Sequence, residues 1–343
     1  MTRILPADQP SIAQAAALIR AGEVVAFPTE TVYGLGANAL DAAAVAKIFA
    51  AKGRPSNDPL IVHIADLDQL ALIAKHVPDS AAVLIEAFWA GPLTLILPRT
   101  VAIPSLVSAG LPTVGVRMPA HPVAQALIRA AGVPIAAPSA NRFAHTSPTT
   151  AQHVYDDLNG TIPLILDGGA THYGVESTIL DLSGTPRLLR PGGITAEELR
   201  FWLPDLQIVE RHSDDAQPMI APGMLLKHYA PTVPLTLFEG EPSAVRQALR
   251  DRAEALLAAG QRVGLLLTAE DIAEIDLPTA RIVSLGSQSD LPTIARHLYS
   301  ALRSFEQPPL VDHLLARSFP AQGLGLAIRD RLMRAAAGHM EIV

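Results

Sequence analysis

The fold is decided by the stretch EVVAFPTETVYGLG at residues 23–36. Its opening residues, EVVAF, are a β-branched run that ends at Pro28, and such a run predicts a short strand. Polar side chains and two glycines follow directly, where the strands of α/β sheets usually deliver ligand-binding loops. An ordinary tight turn with glycine at positive φ explains the two glycines equally well. The stretch alone therefore predicts a strand and leaves the role of its loop open.

Strand and helix patterns alternate on both sides of this stretch. SIAQAAALIRA (11–21) has helical spacing, and DAAAVAKIFAA (41–51) starts with Asp41 as a plausible N-cap, so Lys52 and Arg54 are expected just past a helix C-terminus. With 49% hydrophobic but only 4% aromatic residues, the interior is filled mainly by aliphatic side chains, which favours an α/β fold. Further apolar runs predict strands at 60–64, 93–98, 113–117, 135–137, 164–166, 177–181 and 187–190.

The length of 343 residues suggests two domains. The first series of strands and helices ends near Pro204, and an irregular, proline-rich segment follows it. Beyond that segment the runs PLTLFEG, RVGLLLT and ARIVSLGS repeat the rhythm on a smaller scale, without a G-x-G-x-x-G phosphate fingerprint. We predict a first domain at 1–204, a linker at 205–234, and a smaller Rossmann-like α/β domain at 235–343.

Composition excludes several classes of function. A net charge of -7 gives no global basic field for a nucleic-acid backbone. The absence of cysteine excludes disulfides, thiolate nucleophiles and zinc–thiolate sites. Asp8, Gln9, Gln14 and Arg20 interrupt the N-terminal apolar residues before they reach the length of a signal peptide or a membrane span. We expect a soluble, unexported protein of the cytoplasm that makes no membrane contact.

The loop KGRPSNDPL at residues 52–60 is the strongest candidate for a site. Lys52 offers a compact charge and Arg54 a planar fork, a pair suited to phosphate oxygens, while Gly53 would let the backbone approach a ligand. A solvated basic turn is the alternative. The turn PSAN at 138–141 adds small side chains that expose backbone N–H groups to an anion.

Other reactive groups are less specific. Arg117 and Arg190 each close an apolar strand, where an arginine either clamps a carboxylate or phosphate or is only an edge charge. No G-x-S-x-G elbow surrounds Ser139, which argues against a serine hydrolase. The eleven histidines show no H-E-x-x-H spacing, so His63 and His121 are expected to pack or face solvent rather than bind zinc. By themselves, the two turns indicate an anion site that accepts a nucleotide.

Taken together, the motifs resemble the Sua5/YrdC family of threonylcarbamoyl-AMP synthases. They are FPTETVYGLG, KGRPSNDPLIVH, GPLTLIL, VGVRMP, APSAN followed by SPT, LDGG with GVESTILD, and LLRPGG. APGMLLKHYAP and GLGLAIRDRLMRAA are similar to the linker and the end of the longer, two-domain Sua5 form. The resemblance implies an open twisted mixed sheet with helices around a concave cavity in the first domain.

The resemblance also implies an enzyme of the nucleotidyltransferase class. It would convert L-threonine, bicarbonate or CO2, and ATP into L-threonylcarbamoyladenylate and pyrophosphate, for the t6A modification of tRNA. Mg²⁺ would arrive with ATP, and no protein side chain is expected to hold a metal. Motif matching implies a catalytic tetrad of Lys52, Arg54, Ser139 and Asn141. It implies threonine contacts from Thr31, His63, Arg117 and Ser177. It implies ATP contacts from Arg54, Asp58, Thr113, Ser139, Ser147, Arg190 and Tyr229.

Asp58 departs from the family pattern, because many members have asparagine before Pro-Leu. The change adds a carboxylate beside a polyphosphate, where it would bind through Mg²⁺ or to a ribose hydroxyl. The prolines within 221–231 would let the linker close over the cavity as a lid that places Tyr229 on the nucleotide, and a passive tether is the alternative.

Two functions of other classes compete with synthesis. A double-stranded RNA or tRNA-binding module is disfavoured by the net charge of -7, because phosphate neutralisation supplies most non-specific affinity. Only a weak RNA contact is expected. A carbamoyl-transfer role, like that of related domains in hydrogenase maturation, would need acylphosphatase and zinc-finger segments that this sequence lacks. The expected user of the product is a downstream tRNA threonylcarbamoyltransferase complex.

Overall fold

The computed structural model describes residues 1–209, 219–223 and 228–343. Residues 210–218 and 224–227 of the predicted linker therefore lie outside the described residues. The chain forms two compact units, the first from Met1–Phe143 and Ser147–Met224, the second from Ala144–Thr146 and Leu225–Val343. The short segment 144–146 thus packs with the second unit, although it falls inside the first domain predicted at 1–204. The domain bounds drawn from the sequence stay predictions.

The described part of the first unit contains an eleven-stranded sheet. In chain order its strands are β1 (Arg3–Pro6), β2 (Val25–Pro28), β3 (Tyr33–Asn38), β4 (Ile61–His63), β5 (Leu93–Pro98), β6 (Thr113–Arg117), β7 (Ile135–Ala136), β8 (Leu164–Asp167), β9 (Thr178–Asp181), β10 (Arg187–Arg190) and β11 (Gln207–Ile208). Across the sheet they run in the order β1-β8-β2-β3-β7-β4-β6-β5-β9-β10-β11. Because β4–β6 and β5–β9 are parallel while β5–β6 and β9–β10 are antiparallel, the predicted mixed sheet is confirmed.

Helices cover this sheet and close its core. In chain order they are α1 (Gln9–Arg20), α2 (Ala42–Lys52), α3 (Leu70–Ile73), α4 (Asp79–Phe88), α5 (Pro122–Ala131), α6 (Ala151–Leu158) and α7 (Ala196–Trp202), with a 3-10 turn at Leu67–Gln69. One apolar cluster joins α1 and α5 to β2 and β8 through fully buried side chains, among them Ile19, Val25, Leu127 and Leu164. Aliphatic residues fill it almost alone, as the composition predicted.

Residues 23–36 contain two strands, whereas the sequence pattern predicted one. β2 and β3 form a hairpin, and only residues 29–32 connect them. Gly34 and Gly36 lie inside β3, and neither has a positive φ, so the tight-turn explanation is wrong. Gly36 is required by packing, because a β-carbon there would stand 2.6 Å from side-chain atoms of both Phe27 and Ile135. The hairpin keeps the loop at 29–32 short and buried.

The basic loop at residues 52–60 begins at the C-terminal end of helix α2. Its N-cap is Asp41, as predicted, whose side chain accepts a hydrogen bond of 2.8 Å from the Ala43 amide. The helix runs one residue further than the pattern predicted and ends at Lys52, where a cation suits the helix dipole. Gly53 follows with φ 63° and its amide donates to the Ala50 carbonyl. Gly53 is therefore a left-handed C-cap, and the close approach of its backbone to a ligand stays a prediction.

The second unit has a smaller sheet of five strands in its described part. The strands are β12 (Leu235–Glu239), β13 (Val263–Leu267), β14 (Arg281–Ser284), β15 (His313–Arg317) and β16 (Met340–Ile342), and the helices are α8 (Pro242–Ala258), α9 (Ala269–Ile272), α10 (Leu291–Ser304) and α11 (Gly323–Ala335). All neighbouring strands are parallel, in the order β14-β13-β15-β12-β16, which confirms the predicted Rossmann-like class. Within the described ranges, no helix has the length and apolar character that crossing a bilayer requires.

Candidate active site

Lys52 joins the two turns that the sequence singled out. Its Nζ donates to the Ser139 carbonyl at 2.6 Å and to the Asn141 carbonyl at 2.5 Å. The side chain is only 4% exposed. Three of the four residues of the implied tetrad are therefore in direct contact. An ammonium group fixed away from water acts strongly on a nearby anion, because little solvent screens it.

Arg54, the fourth residue of the tetrad, is held by its own loop. Its Nη2 pairs with Asp58 Oδ1 at 2.8 Å and donates to the Pro59 carbonyl at 2.8 Å, and its Nε donates to the Asp58 carbonyl at 3.2 Å. Burial raises the pKa of the Asp58 carboxyl above its usual range, although Arg54, Lys52 and Arg190 oppose the shift. One buried carboxyl thus lies under the influence of three cations.

Arg117 is oriented by three fixed partners. Its Nη2 pairs with Glu30 Oε1 at 2.5 Å, its Nη1 donates to Thr31 Oγ1 at 3.0 Å, and its Nε donates to the Gly91 carbonyl at 3.2 Å. Burial works to raise the pKa of the Glu30 carboxyl, but the Arg117 guanidinium outweighs it and holds that pKa below its usual range. A guanidinium fixed in this way is suited to planar recognition of a substrate carboxylate.

His63 lies opposite Arg117 in the parallel β4–β6 pair. The side chain is buried, and its ring packs edge-on against Phe27 with 6.4 Å between centroids. Burial and the nearby Arg117 lower the pKa of His63 to about 3, against the opposing effect of Glu30. In the part of the chain that the structure describes, Nδ1 has no hydrogen-bond partner. The packing role predicted for His63 is therefore confirmed, and its neutral imidazole lies beside Arg117.

Ser177 links residues that the resemblance assigned to different substrates. Arg190 donates from Nη2 to Ser177 Oγ and from Nε to the Ser177 carbonyl, both at 3.1 Å. The Thr94 hydroxyl lies 2.8 Å from Ser177 Oγ. Arg190 Nη1 donates to the Pro222 carbonyl at 3.2 Å, so the described linker residues 219–223 lie on the first unit beside this arginine. The residues assigned to threonine and to ATP thus form one connected set.

Ser147 and Thr113 are two further residues assigned to ATP. Ser147 Oγ donates to Glu176 Oε1 at 2.6 Å. Thr113 begins β6 and lies opposite Pro98 of β5. At about 3.3 Å per residue, the first and last residues of β6 are separated by roughly 13 Å. Thr113, assigned to ATP, and Arg117, assigned to threonine, therefore lie at opposite ends of this strand.

Tyr229 belongs to the second unit. Its ring lies 5.1 Å from the Arg331 guanidinium carbon and 5.8 Å from the Tyr299 ring, and the residue has a left-handed φ of 60°. The nucleotide contact implied for Tyr229 and the closing of the linker as a lid stay predictions, and residues 224–227 of that lid lie outside the described residues.

Sequence interpretation missed Glu30 and Glu176. Both lie inside recognised motifs, PTETVYG and GVEST, and both are buried. Each contacts a residue that the resemblance assigned, Arg117 for Glu30 and Ser147 for Glu176. The signal was present, because an acidic residue among small and apolar neighbours needs a basic or hydroxyl partner once it is buried.

Gly192 holds the backbone around Ser177 in place. A β-carbon at Gly192 would stand 2.4 Å from the Glu176 carbonyl oxygen and 2.4 Å from the Thr178 amide nitrogen. We expect Gly192→Ala to destabilise the first unit by about 1–3 kcal/mol, as overpacking does, and to weaken ATP binding by moving Ser177. Urea unfolding and calorimetric titration measure the two effects. Gly184→Ala is the matched control, because its β-carbon would meet nothing within 4 Å, and equal effects of both substitutions would refute this reasoning.

His63 makes the first unit sensitive to acid. Its folded pKa of about 3 lies below the ordinary histidine pKa of 6.5, so between these values the unfolded chain binds more protons and stability falls as pH falls. We expect a loss of up to about 1.4 kcal/mol per pH unit in this window. Both tryptophans, Trp89 and Trp202, lie in the first unit, so their fluorescence follows its unfolding. His63→Gln should make the stability of the first unit depend less on pH in this window. An unchanged dependence would contradict the burial of a neutral ring.

Fold and site together define a class of protein. It is an α/β protein that gathers buried lysine and arginine side chains from a helix end, a loop and two strand ends. Two family models match the chain, one described as telomere recombination over residues 17–192 and one described as the threonylcarbamoyl-AMP synthase C-terminal domain over residues 194–337.

Relatives cover nearly the whole chain. The threonylcarbamoyl-AMP synthase of Bacillus subtilis is 49% identical over 342 residues, which are 99% of this chain and 97% of the relative. That of Pyrococcus abyssi is 44% identical over 323 residues, 94% of this chain and 92% of the relative. A crystal structure of P. abyssi Sua5 complexed with L-threonine matches with a TM-score of 0.92 and 42% identity, covering 100% of this chain and 99% of that one. This chain belongs to the threonylcarbamoyl-AMP synthase family, in its two-domain Sua5 form.

Proposed function

We propose that this chain is an L-threonylcarbamoyladenylate synthase that uses L-threonine, bicarbonate or CO2, and ATP. The observation that carries the proposal is the contact of Ser177 with Arg190, which joins the threonine-assigned residues to the ATP-assigned residues. A transfer between two substrates requires such a junction, since the reacting atoms must be held close together. The likeness to a Sua5 protein complexed with L-threonine supports the choice of amino acid.

The reaction needs positioning and charge neutralisation more than a covalent nucleophile. The threonine amine and bicarbonate give a carbamate and water. A carbamate oxygen then attacks the α-phosphorus of ATP, and the bond to pyrophosphate breaks. In our proposal Arg117 and Thr31 hold the threonine carboxylate, while Lys52 and Arg54 neutralise charge on the phosphates. This chemistry makes the enzyme a nucleotidyltransferase.

Neutral His63 suits the same mechanism. An imidazole that stays uncharged beside Arg117 adds no further positive charge to the amino-acid pocket, and its Nδ1 can accept a hydrogen bond from a substrate hydroxyl or amine. Thr31, His63 and Arg117 are all buried, and a site shielded from water in this way would protect an unstable carbamate from breakdown.

Mg²⁺ is proposed as a companion of ATP, because it shields the phosphate charges during transfer. Within the described ranges, no group of three or more histidine or acidic side chains could hold a metal ion by itself. The ion would therefore take most of its ligands from phosphate oxygens and water.

The cellular role rests on the chemistry of the product. Threonylcarbamoyl-AMP is an activated mixed anhydride, so a second enzyme must take the threonylcarbamoyl group from it, and we propose the tRNA threonylcarbamoyltransferase complex for t6A. A cytoplasmic location and a weak RNA contact belong to the same proposal. The lid does too: the Arg190 contact with Pro222 and the 3.2 Å hydrogen bond from the Met219 amide to the Asn57 carbonyl support linker residues at the nucleotide side of the first unit.

Pyrophosphate release tests the proposed reaction. It is measured with the full set of ATP, threonine and bicarbonate, and then with threonine or bicarbonate omitted. The proposal expects release that needs both, with threonylcarbamoyl-AMP as the nucleotide product. Release that is unchanged when either is omitted would sink it. Steeply salt-dependent tRNA binding without any synthesis would favour an RNA-binding module instead.

A further inference from the structure

Asp58 is a carboxylate where an anionic substrate has to bind. Its side chain is fully buried, and the cations Arg54, Lys52 and Arg190 all act on it. Oδ1 lies 2.8 Å from Arg54 Nη2 in an ion pair, and neither carboxylate oxygen accepts a hydrogen bond within the described ranges. The loop also fixes the residue, because the Asp58 amide donates to the Pro55 carbonyl at 3.3 Å. The carboxylate is therefore held by its ion pair, and the hydrogen-bonding capacity of Oδ2 is unused.

Asp58 opposes ATP as long as both are bare anions. Before ATP arrives, the Asp58 carboxylate compensates the charge of the cations, which would otherwise repel one another in a buried place. When ATP arrives, its phosphates compete with the carboxylate for Arg54, and two anions in a site of low dielectric repel each other strongly. ATP binding at this site therefore requires that the repulsion between the Asp58 carboxylate and the phosphates be removed.

A hard divalent cation resolves this conflict. Mg²⁺ is commonly bound in proteins by one or two carboxylates together with the phosphates of a substrate, and it keeps several waters. One uncommitted oxygen on a fixed, buried aspartate is the single protein ligand that such a site needs.

We propose that Asp58 is the protein ligand of the Mg²⁺ ion that ATP carries, and that Arg54 leaves Asp58 for the phosphates when the ion binds. This inference rests on the proposed use of ATP. It assigns Asp58 to the metal rather than to a ribose hydroxyl, and it makes ATP affinity depend on Mg²⁺ through this one side chain.

The test compares nucleotide binding with and without metal. Calorimetric titration with α,β-methylene ATP, which cannot be cleaved at the reacting bond, gives the Kd in excess Mg²⁺ and in EDTA. For the native protein, Mg²⁺ should tighten binding about 10- to 100-fold. Asp58→Asn should bind the metal-free nucleotide more tightly than the native protein does, and Mg²⁺ should change its Kd by less than about threefold. Asp58→Glu should keep a clear dependence on Mg²⁺.

Two controls separate this inference from its rivals. Asp181→Asn makes the same change at a buried aspartate paired with Arg187, and it should leave the effect of Mg²⁺ as in the native protein. Mn²⁺ in place of Mg²⁺, observed by EPR in water enriched in the magnetic oxygen isotope, should show one water fewer on the ion in the native complex than in Asp58→Asn.

The failures are distinguishable. An unchanged effect of Mg²⁺ in Asp58→Asn, or equal hydration of Mn²⁺ in both proteins, overturns the assignment of Asp58. Metal-free binding that strengthens steeply as pH falls also overturns it, because a proton would then neutralise the carboxylate. No nucleotide binding by the native protein under either condition would instead refute the proposed function. If Asp58→Asn does not fold, the native complex is compared with Mn²⁺ on the free nucleotide, and an equal number of bound waters in the two, or a loss of the Mg²⁺ effect in Asp58→Glu, overturns the assignment.

Discussion

Lys52→Met is expected to lower the rate of threonine-dependent pyrophosphate release about 10²- to 10³-fold, the usual effect of removing one preorganised charge or donor at a transition state. Nζ is fixed between the Ser139 and Asn141 carbonyls and is buried, so no solvent cation replaces it. ATP binding should weaken less than the rate falls, because the charge on the phosphates grows during transfer. Single-turnover kinetics with saturating substrates measures the difference.

Two further variants make this prediction specific to charge. Lys52→Gln keeps a donor for the carbonyls without the charge, so it should retain the fold and still lose most of the rate. Lys47→Met removes a lysine from the same helix, where Nζ pairs with exposed Glu23 at 2.8 Å, and it should remain fully active. If Lys52→Gln were as active as the native protein, the contribution of Lys52 would be structural and not electrostatic.

Arg117→Met is expected to destabilise the first unit by about 3–5 kcal/mol and to abolish measurable threonine binding. The substitution leaves Glu30 buried without its cation, and an uncompensated buried charge is the costly state. Glu30→Gln alone should cost less, because the amide can still accept a hydrogen bond from Arg117. Urea unfolding followed by the fluorescence of Trp89 and Trp202 measures stability, and calorimetric titration measures threonine affinity.

The double variant Arg117→Met/Glu30→Gln distinguishes pairing from simple packing. Removing both charges relieves the unpaired carboxylate, so the double variant should be more stable than Arg117→Met alone and still unable to bind threonine. Arg129→Met, at an exposed pair with Asp66 at 3.4 Å, should change stability by less than about 1 kcal/mol. Double and single Arg117 variants of equal stability would contradict a compensated ion pair.

The local sequence pattern was sufficient to predict most of the helices and strands. The strands at Leu93–Pro98 and Thr113–Arg117 have the bounds that their apolar runs predict. β3 was missed because Tyr33–Asn38 contains two glycines and no run of β-branched residues, and its pairing with β2 decides its conformation instead. Tertiary pairing thus overrode a weak local signal.

The sequence predicted which residues belong to the site, but not which of them contact one another. Motif matching named Lys52, Ser139 and Asn141, but the 87 residues that separate Lys52 from Ser139 leave no local signal for the bond between them. Glu30 and Glu176 were missed for the same reason, because what defines each is a distant partner. The neutral state of His63 depends on complete burial between strands, which no spacing of histidines reveals.

The second unit is built from two separate stretches of the chain, because the segment 144–146 belongs to it. Ala144 accepts a hydrogen bond from the Ala230 amide, Thr146 accepts one from Arg303, and His145 pairs with Glu306, which lies 161 residues further along the chain. During translation, residues 144–146 leave the ribosome before residues 230, 303 and 306 are made, so this part of the second unit can form only after most of the chain has been synthesised. A gene shortened after the first unit would encode these three residues without their partners, and exchanging the second unit in evolution would have to preserve three residues that lie within the sequence of the first.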